Sequence, residues 1–91
     1  MKCEWDNKKA RQNVVKHAIS FEEAVTVFYD PLSATFPDED HSVRERRLVT
    51  IGCSSRGRLL VIAHTERQGR LRIISARKAT AHERRRHDEE G

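Results

Sequence analysis

Hydrophobic and polar residues follow two different periods along the chain, one in each half. In the first half apolar residues recur every three or four positions, which is the period of a helix buried on one side. In the second half they gather in blocks of three to five, separated by short polar turns, which is typical of strands. The pattern predicts helices first and a sheet afterwards.

A short strand at 2–5 and a first helix are predicted at the start of the chain. Asp6 occupies the N-cap position of this helix, because a carboxylate there accepts hydrogen bonds from otherwise unpaired amides. The helix covers the segment NKKARQNVVKHA. Its expected apolar side consists of Ala10, Val14 and Ala18.

A second helix begins at Ser20, which has capping-box spacing with Glu23. Asp30 and Pro31 end it, because a proline lacks the amide donor and pushes the preceding residue out of helical geometry. Its apolar stripe consists of Phe21, Ala24, Val25 and Phe28.

The remainder of the chain predicts strands and one last helix. A short strand at 33–37 and an exposed acidic loop at 38–45 precede three longer strands at 46–54, 56–67 and 70–78. A second capping box, Thr80 with Glu83, opens a short terminal helix. The expected fold class is α+β in a single domain of residues 1–91. It has two layers, with two N-terminal helices on one face of an antiparallel sheet of about four to five strands.

The charge is divided unevenly between the halves. Residues 1–40 hold five Lys or Arg against eight Asp or Glu, whereas residues 41–91 hold thirteen against six, and the chain has a net charge of +4. An Arg-rich C-terminal half suggests a nucleic acid or an acidic protein as partner, although a solvated basic surface without a ligand has the same composition. The longest apolar run, LLVIA, is too short to span a membrane, so we expect a soluble, cytoplasmic protein.

Cysteine usage gives no indication of a metal site. Cys3 and Cys53 are fifty residues apart and lack the spacing of a zinc motif. We expect two reduced, buried thiols, and neither a metal nor a cofactor is predicted.

Arginines surround the last two strands. The planar guanidinium group matches two phosphate oxygens at once, so phosphate is the favoured ligand class. Alternation along the strand at 70–78 places Arg77 on the same face as Leu71 and Ile73. Arg70 and Arg72 are then expected on the other face.

Four segments resemble the BrnT family of type II toxins. They are EWDNKKARQNVVKH, SFEEAVTVFYDPL, RRLVTIG and HTERQGRLRIISARKATAHER, and together they extend from about Glu4 to Arg84. The resemblance implies a RelE-like α+β fold and an endoribonuclease that inhibits translation and growth. It also implies a BrnA-type antitoxin that neutralises the toxin and contacts operator DNA, so that the toxin reaches DNA only through the antitoxin.

Metal-independent RNA cleavage needs proton-transfer groups and cations that stabilise the charge developing on phosphate. The predicted catalytic residues are Arg77, Arg67, Arg47 and His64. The predicted RNA-binding residues are Arg70, Arg72, Lys78 and Arg84.

Each of these assignments has a simpler alternative. Arg77 would equally pair with Glu83, and His64 would equally be a hydrogen-bonded core histidine. Arg84 belongs to a charged terminal run of the kind that is usually only solvated. A non-catalytic module that binds nucleic acid or protein through the same arginines is the alternative function.

Overall fold

The computed structural model describes residues 2–41 and 45–90 and contains three helices and five strands among them. The predicted acidic loop therefore lies partly outside the described residues. The strands are β1 (Cys3–Glu4), β2 (Ala34–Pro37), β3 (Arg47–Cys53), β4 (Leu59–Arg67) and β5 (Arg70–Lys78). The helices are α1 (Asn7–His17), α2 (Phe21–Thr26) and α3 (Ala81–Glu90), with 3₁₀ turns at Val27–Tyr29 and Glu39–His41.

The five strands form one mixed sheet in the order β1-β5-β4-β3-β2. Strands β2 to β5 are antiparallel neighbours, as the short connections between β3, β4 and β5 predict for those three, but β1 runs parallel to β5. The prediction of an antiparallel sheet is thus wrong for β1. Two helices separate this strand from the others in sequence, so no short turn fixes its direction.

Helices α1 and α2 cover one side of the sheet, which we call the helix face. The α+β prediction is confirmed here, since residues of α2 and of β4 and β5 form the main core. Its buried members are Ile19, Phe21, Ala24, Val27, Leu60, Ile62, Leu71, Ile73 and Ala76. Trp5 packs edge-on against Phe21, with ring centroids 5.9 Å apart.

The opposite side of the sheet, which we call the outer face, carries a smaller apolar cluster of Ile51, Leu59 and Val61. Helix α3 lies beside this cluster and borders a groove of about 280 Å³ with it. The two-layer prediction is therefore incomplete, because the C-terminal helix adds a partial third layer. None of its residues is buried, so it is attached mainly by polar contacts.

The helix starts follow the predicted caps with one exception. Asp6 accepts hydrogen bonds from the amides of Lys8 and Lys9. Thr80 and Glu83 form a complete capping box, in which each side chain accepts a hydrogen bond from the amide of the other residue. These hydrogen bonds account for the starts of α1 and α3.

The capping box predicted at the start of α2 is only half formed. Ser20 Oγ accepts a hydrogen bond from the Glu23 amide, but the carboxylate of Glu23 turns away. It accepts hydrogen bonds from the Arg58 guanidinium and from Ser54 Oγ, the latter at 2.7 Å. The hydrogen bonds from Arg58 are the main reason why the pKa of the Glu23 carboxyl lies below its usual range. This buried acid therefore fastens α2 to the turn between β3 and β4.

The predicted apolar side of α1 is only partly correct. Ala10 packs against the core. Val14 is half exposed, Ala18 is exposed, and the buried position of this helix is Asn13. Asn13 Nδ2 donates to the carbonyls of Ile19 and Ala76, and its Oδ1 accepts from the Ala76 amide. β1 pairs only with Leu71 and Arg72, so Asn13 takes the place of a neighbouring strand further along β5.

Strand β5 contains a β-bulge that reverses its alternation. Ser75 pairs with Ala63, but the next pair is Ile73 with His64, which leaves Ile74 as an extra residue. Leu71 and Ile73 before the bulge share the core with Ala76 after it. In a regular strand, residues an even number of positions apart share a face. When the bulge lies between them, they point to opposite faces of the sheet.

The bulge corrects the expected split of the arginines. Arg77 pairs with Val61 and lies on the outer face, opposite Leu71 and Ile73. Arg70 and Arg72 alternate to that same face. Strict alternation fails because it assumes a regular strand.

The cysteines differ from their predicted environment as well. Cys3 is half-buried and burial raises its thiol pKa, whereas Cys53 is exposed at the end of β3. Both are free thiols. No described helix is long and apolar enough to cross a membrane.

We expect Asn13→Ala to lower the free energy of unfolding by about 2 kcal/mol or more, because it leaves buried backbone groups of Ile19 and Ala76 without partners. Gln12→Ala, at the exposed neighbouring position, is the control and should change it by less than about 0.5 kcal/mol. Urea unfolding measures both. Equal effects of the two substitutions would show that the Asn13 amide does not stabilise β5.

Candidate functional site

Five of the predicted site residues lie on the outer face. They are arginines contributed by three adjacent strands: Arg47, Arg67, Arg70, Arg72 and Arg77. Strand pairing arranges them in rows, since residues directly opposite each other on neighbouring strands point the same way. The structure therefore brings together a set of guanidinium groups that the sequence divided between two faces.

The clearest row crosses β3, β4 and β5 at Thr65. This residue pairs with Arg47 on one side and with Arg72 on the other. Thr65 is 2% exposed, and its hydroxyl finds no hydrogen-bond partner among the described residues. A buried hydroxyl with two arginines beside it is thus the centre of the row.

Carboxylates hold these arginines in place. The guanidinium of Arg72 lies 3.1 Å from a carboxylate oxygen of Glu4, and that of Arg70 lies 3.7 Å from the same side chain. The Arg47 guanidinium approaches Asp38 to 3.4 Å. Such partly exposed pairs contribute little stability, roughly 0–1 kcal/mol each, so an incoming anion can replace them at small cost.

Arg67 follows the same scheme at the end of β4. Its guanidinium lies 3.0 Å from Glu45, and both side chains are largely exposed. Arg67 is also the strand partner of Arg70 at the hairpin turn. Both turn residues of this hairpin, Gln68 and Gly69, have positive φ angles, which match the twist of the two strands.

Arg77 is bound more firmly than the other arginines. Glu83 of α3 accepts two hydrogen bonds from its guanidinium, at 2.8 and 2.9 Å. These bonds are the main reason why the pKa of Glu83 falls to about 2 and the pKa of Arg77 rises. The alternative partner named for Arg77 from the sequence is therefore present, and α3 is anchored to β5 by this pair.

His64 lies apart from the arginines, on the helix face. Its Nε2 is 2.7 Å from Thr50 Oγ1, its ring packs edge-on against Phe28, and only 2% of the residue is exposed. Burial lowers the pKa of His64, so the neutral ring is favoured. The structure gives this residue the geometry of a hydrogen-bonded core histidine.

The last two predicted residues are not part of the arginine rows either. Lys78 alternates to the helix face at the end of β5 and is exposed. Arg84 is exposed on α3.

The sequence analysis gave no site role to three residues that position this surface. Glu4 and Thr65 were placed only within predicted strands, and Asn13 was placed only within the first helix. The position of Thr65 between two basic strand residues was visible only once the register of β3 and β5 was known. Asn13 gave no signal, because a polar residue in an amphipathic helix is normally exposed.

Comparison with known proteins shows the family of this chain. Residues 5–83 match a family model described as the ribonuclease toxin BrnT of type II toxin-antitoxin systems. The chain belongs to this family. Membership in the BrnT family confirms the prediction of a ribonuclease toxin from a type II toxin-antitoxin system.

A solved structure agrees with the fold. The crystal structure of the Brucella abortus ribonuclease toxin BrnT superposes with a TM-score of 0.70 and shares 24% sequence identity. The match covers 88% of this chain and 97% of that one. At this identity the likeness establishes the BrnT fold alone. A search of curated proteins found no match.

We expect the free energy of unfolding to fall as the pH drops from about 7 to 5, in part because of His64. Burial holds its pKa below the ordinary value of 6.5, so below that pH the unfolded chain binds a proton that the folded chain excludes. One such proton corresponds to at most about 1.4 kcal/mol per pH unit. For His64→Gln, urea unfolding across this range should show a shallower slope of the unfolding free energy against pH, because the contribution of His64 is lost. Some slope should remain, because the other histidines are unchanged. Parallel profiles would contradict the assignment.

Proposed function

We propose that the outer face is the surface on which this ribonuclease toxin binds RNA and cleaves its backbone without a metal ion. The observation that carries the proposal is the placement of five arginines on the same side of β3, β4 and β5. An RNA strand presents a regular series of phosphates, and a row of guanidinium groups is complementary to it.

The proposed reaction is the attack of a ribose 2′-hydroxyl on the adjacent phosphorus, with departure of the 5′-oxygen. Negative charge builds on the phosphate oxygens as the bond forms. Fixed cations placed beside that charge lower the barrier, and losing one such contact typically costs about 10²- to 10³-fold in rate. We assign this role to Arg77. Arg47, Arg67, Arg70 and Arg72 lie four or more residues along β4 from the partner of Arg77, so we propose that they bind neighbouring phosphates.

Proton transfer has fewer candidates on this surface. Glu83 lies against Arg77, but a pKa of about 2 makes its carboxylate a weak base at neutral pH. His64 faces the core instead of the arginines. These facts support catalysis in which positive charge contributes more than a histidine does, and we propose a structural role for His64.

The partner of the proposed toxin is a BrnA-type antitoxin. A type II toxin is neutralised by a protein, and membership of the BrnT family supports such a partner for this chain. We propose that operator DNA is contacted only through that antitoxin and that the toxin acts in the cytoplasm.

The test is cleavage of RNA by the purified chain in the presence of a chelator. Arg77→Ala should lower the cleavage rate at least about tenfold, because it removes a cation beside the reacting phosphate. Arg77→Lys should recover only part of the rate, since an ammonium group lacks the planar fork. Arg11→Ala removes the same charge from the exposed surface of α1 and is the matched control, with a rate expected within about twofold of the original.

Two outcomes would contradict the proposal. If the unaltered chain leaves RNA intact while binding it in a salt-sensitive way, the surface is a binding module and not a catalytic one. If Arg77→Ala and Arg11→Ala cleave equally well, the outer face is not the site of the reaction.

A further inference from the structure

The row formed by Arg47, Thr65 and Arg72 has the composition of a binding site for one phosphate group. Two of its members are arginines, and the third is a threonine whose hydroxyl is both a donor and an acceptor. All three point to the outer face, because each is paired directly across the sheet with the next. The row therefore carries hydrogen-bond donors on three adjacent strands.

Thr65 is the unusual member. Its side chain is almost wholly buried, yet Oγ1 has no hydrogen-bond partner among residues 2–41 and 45–90. Leaving a buried hydroxyl without a partner costs free energy, and an unpaired polar group in a native structure calls for a physical reason. A valine has nearly the same shape and would avoid that cost. An oxygen of a bound ligand is one group that can be the missing partner.

The spacing of the row fits one phosphate. Neighbouring strands are about 4.8 Å apart, so the Cα atoms of Arg47 and Arg72, on the two sides of Thr65, are about 10 Å from each other. Two arginine side chains extending toward the middle easily close this distance. Each is already ordered by a carboxylate, Arg47 by Asp38 and Arg72 by Glu4. A phosphate that enters the row exchanges these acids for its own oxygens.

We propose that Arg47, Thr65 and Arg72 form a subsite for an internal phosphodiester of an RNA strand, with Thr65 Oγ1 donating a hydrogen bond to a non-bridging oxygen. The proposal rests on the proposed function only for the identity of the strand as RNA. It adds a residue, Thr65, that holds the substrate in place and carries no charge. Arg77 lies on the same strand as Arg72, five positions further along. The subsite would therefore hold a different phosphate of the same RNA strand from the one at Arg77.

The test is binding of a short 2′-O-methyl RNA without terminal phosphates, which cannot be cleaved because the attacking hydroxyl is blocked. Thr65→Val should weaken its binding about tenfold at low salt, since a hydrogen bond to a charged phosphate is lost. The same substitution should leave the melting temperature unchanged or raise it. Thr65→Ser keeps the hydroxyl and should bind within about twofold of the original chain.

A control on the other face separates binding from stability. Thr50→Val also removes a buried hydroxyl, but this one contacts Thr35 and His64. It should lower the melting temperature and leave affinity for the 2′-O-methyl RNA unchanged. The two substitutions are thus expected to have opposite effects. Thr65→Val should weaken RNA binding without lowering the melting temperature, and Thr50→Val should lower the melting temperature without weakening RNA binding.

The result that overturns the subsite is equal affinity of Thr65→Val and the unaltered chain for the 2′-O-methyl RNA. Inorganic phosphate is the second probe. A Thr65 effect seen with inorganic phosphate and not with the RNA would also overturn it, since the ligand would then be a free anion. Because the RNA cannot be cut, these outcomes are independent of the cleavage assay. A chain that cleaves RNA without a Thr65 effect keeps the proposed function and loses the subsite.

Discussion

The bulge at Ile74 is the constraint on which the outer face depends. One extra residue in β5 turns Ala76 into the core and Arg77 away from it, so that Arg77 joins Arg70 and Arg72. The Asn13 side chain hydrogen-bonds both backbone groups of Ala76 just beyond the bulge and holds this geometry. A helix amide thus stabilises the backbone that directs Arg77 to the face of the other arginines. Local irregularities of this kind are enriched next to functional sites.

The second organising feature is the pairing of each outer-face arginine with a carboxylate. Glu4, Asp38, Glu45 and Glu83 come from segments far apart in sequence, and they order the guanidinium groups before any ligand arrives. Four of these contacts are partly exposed and weak, whereas the bidentate bond between Arg77 and Glu83 also attaches α3. The face is therefore ordered but exchangeable, which is what reversible binding of a polyanion requires.

The sequence predicts much of this fold and less of the site. Caps at Asp6 and Thr80, the proline after Asp30 and the two hairpin turns each have a local cause, so their positions follow from neighbouring residues. The parallel pairing of β1, the bulge at Ile74 and the burial of Asn13 arise from contacts between distant segments, and no local pattern encodes them. The arginines were singled out by residue type. Their common face was not foreseen, because it depends on register.

Binding of RNA to the outer face is tested most directly by a map of the bound surface. Amide NMR signals of the chain can be followed while a 2′-O-methyl RNA is added at low salt. We expect the largest shifts on outer-face residues of β3, β4 and β5, around Thr65 and Arg77. We expect small shifts on α1 and α2. Shifts concentrated on α1 and α2, with the outer face unchanged, would contradict binding at the outer face.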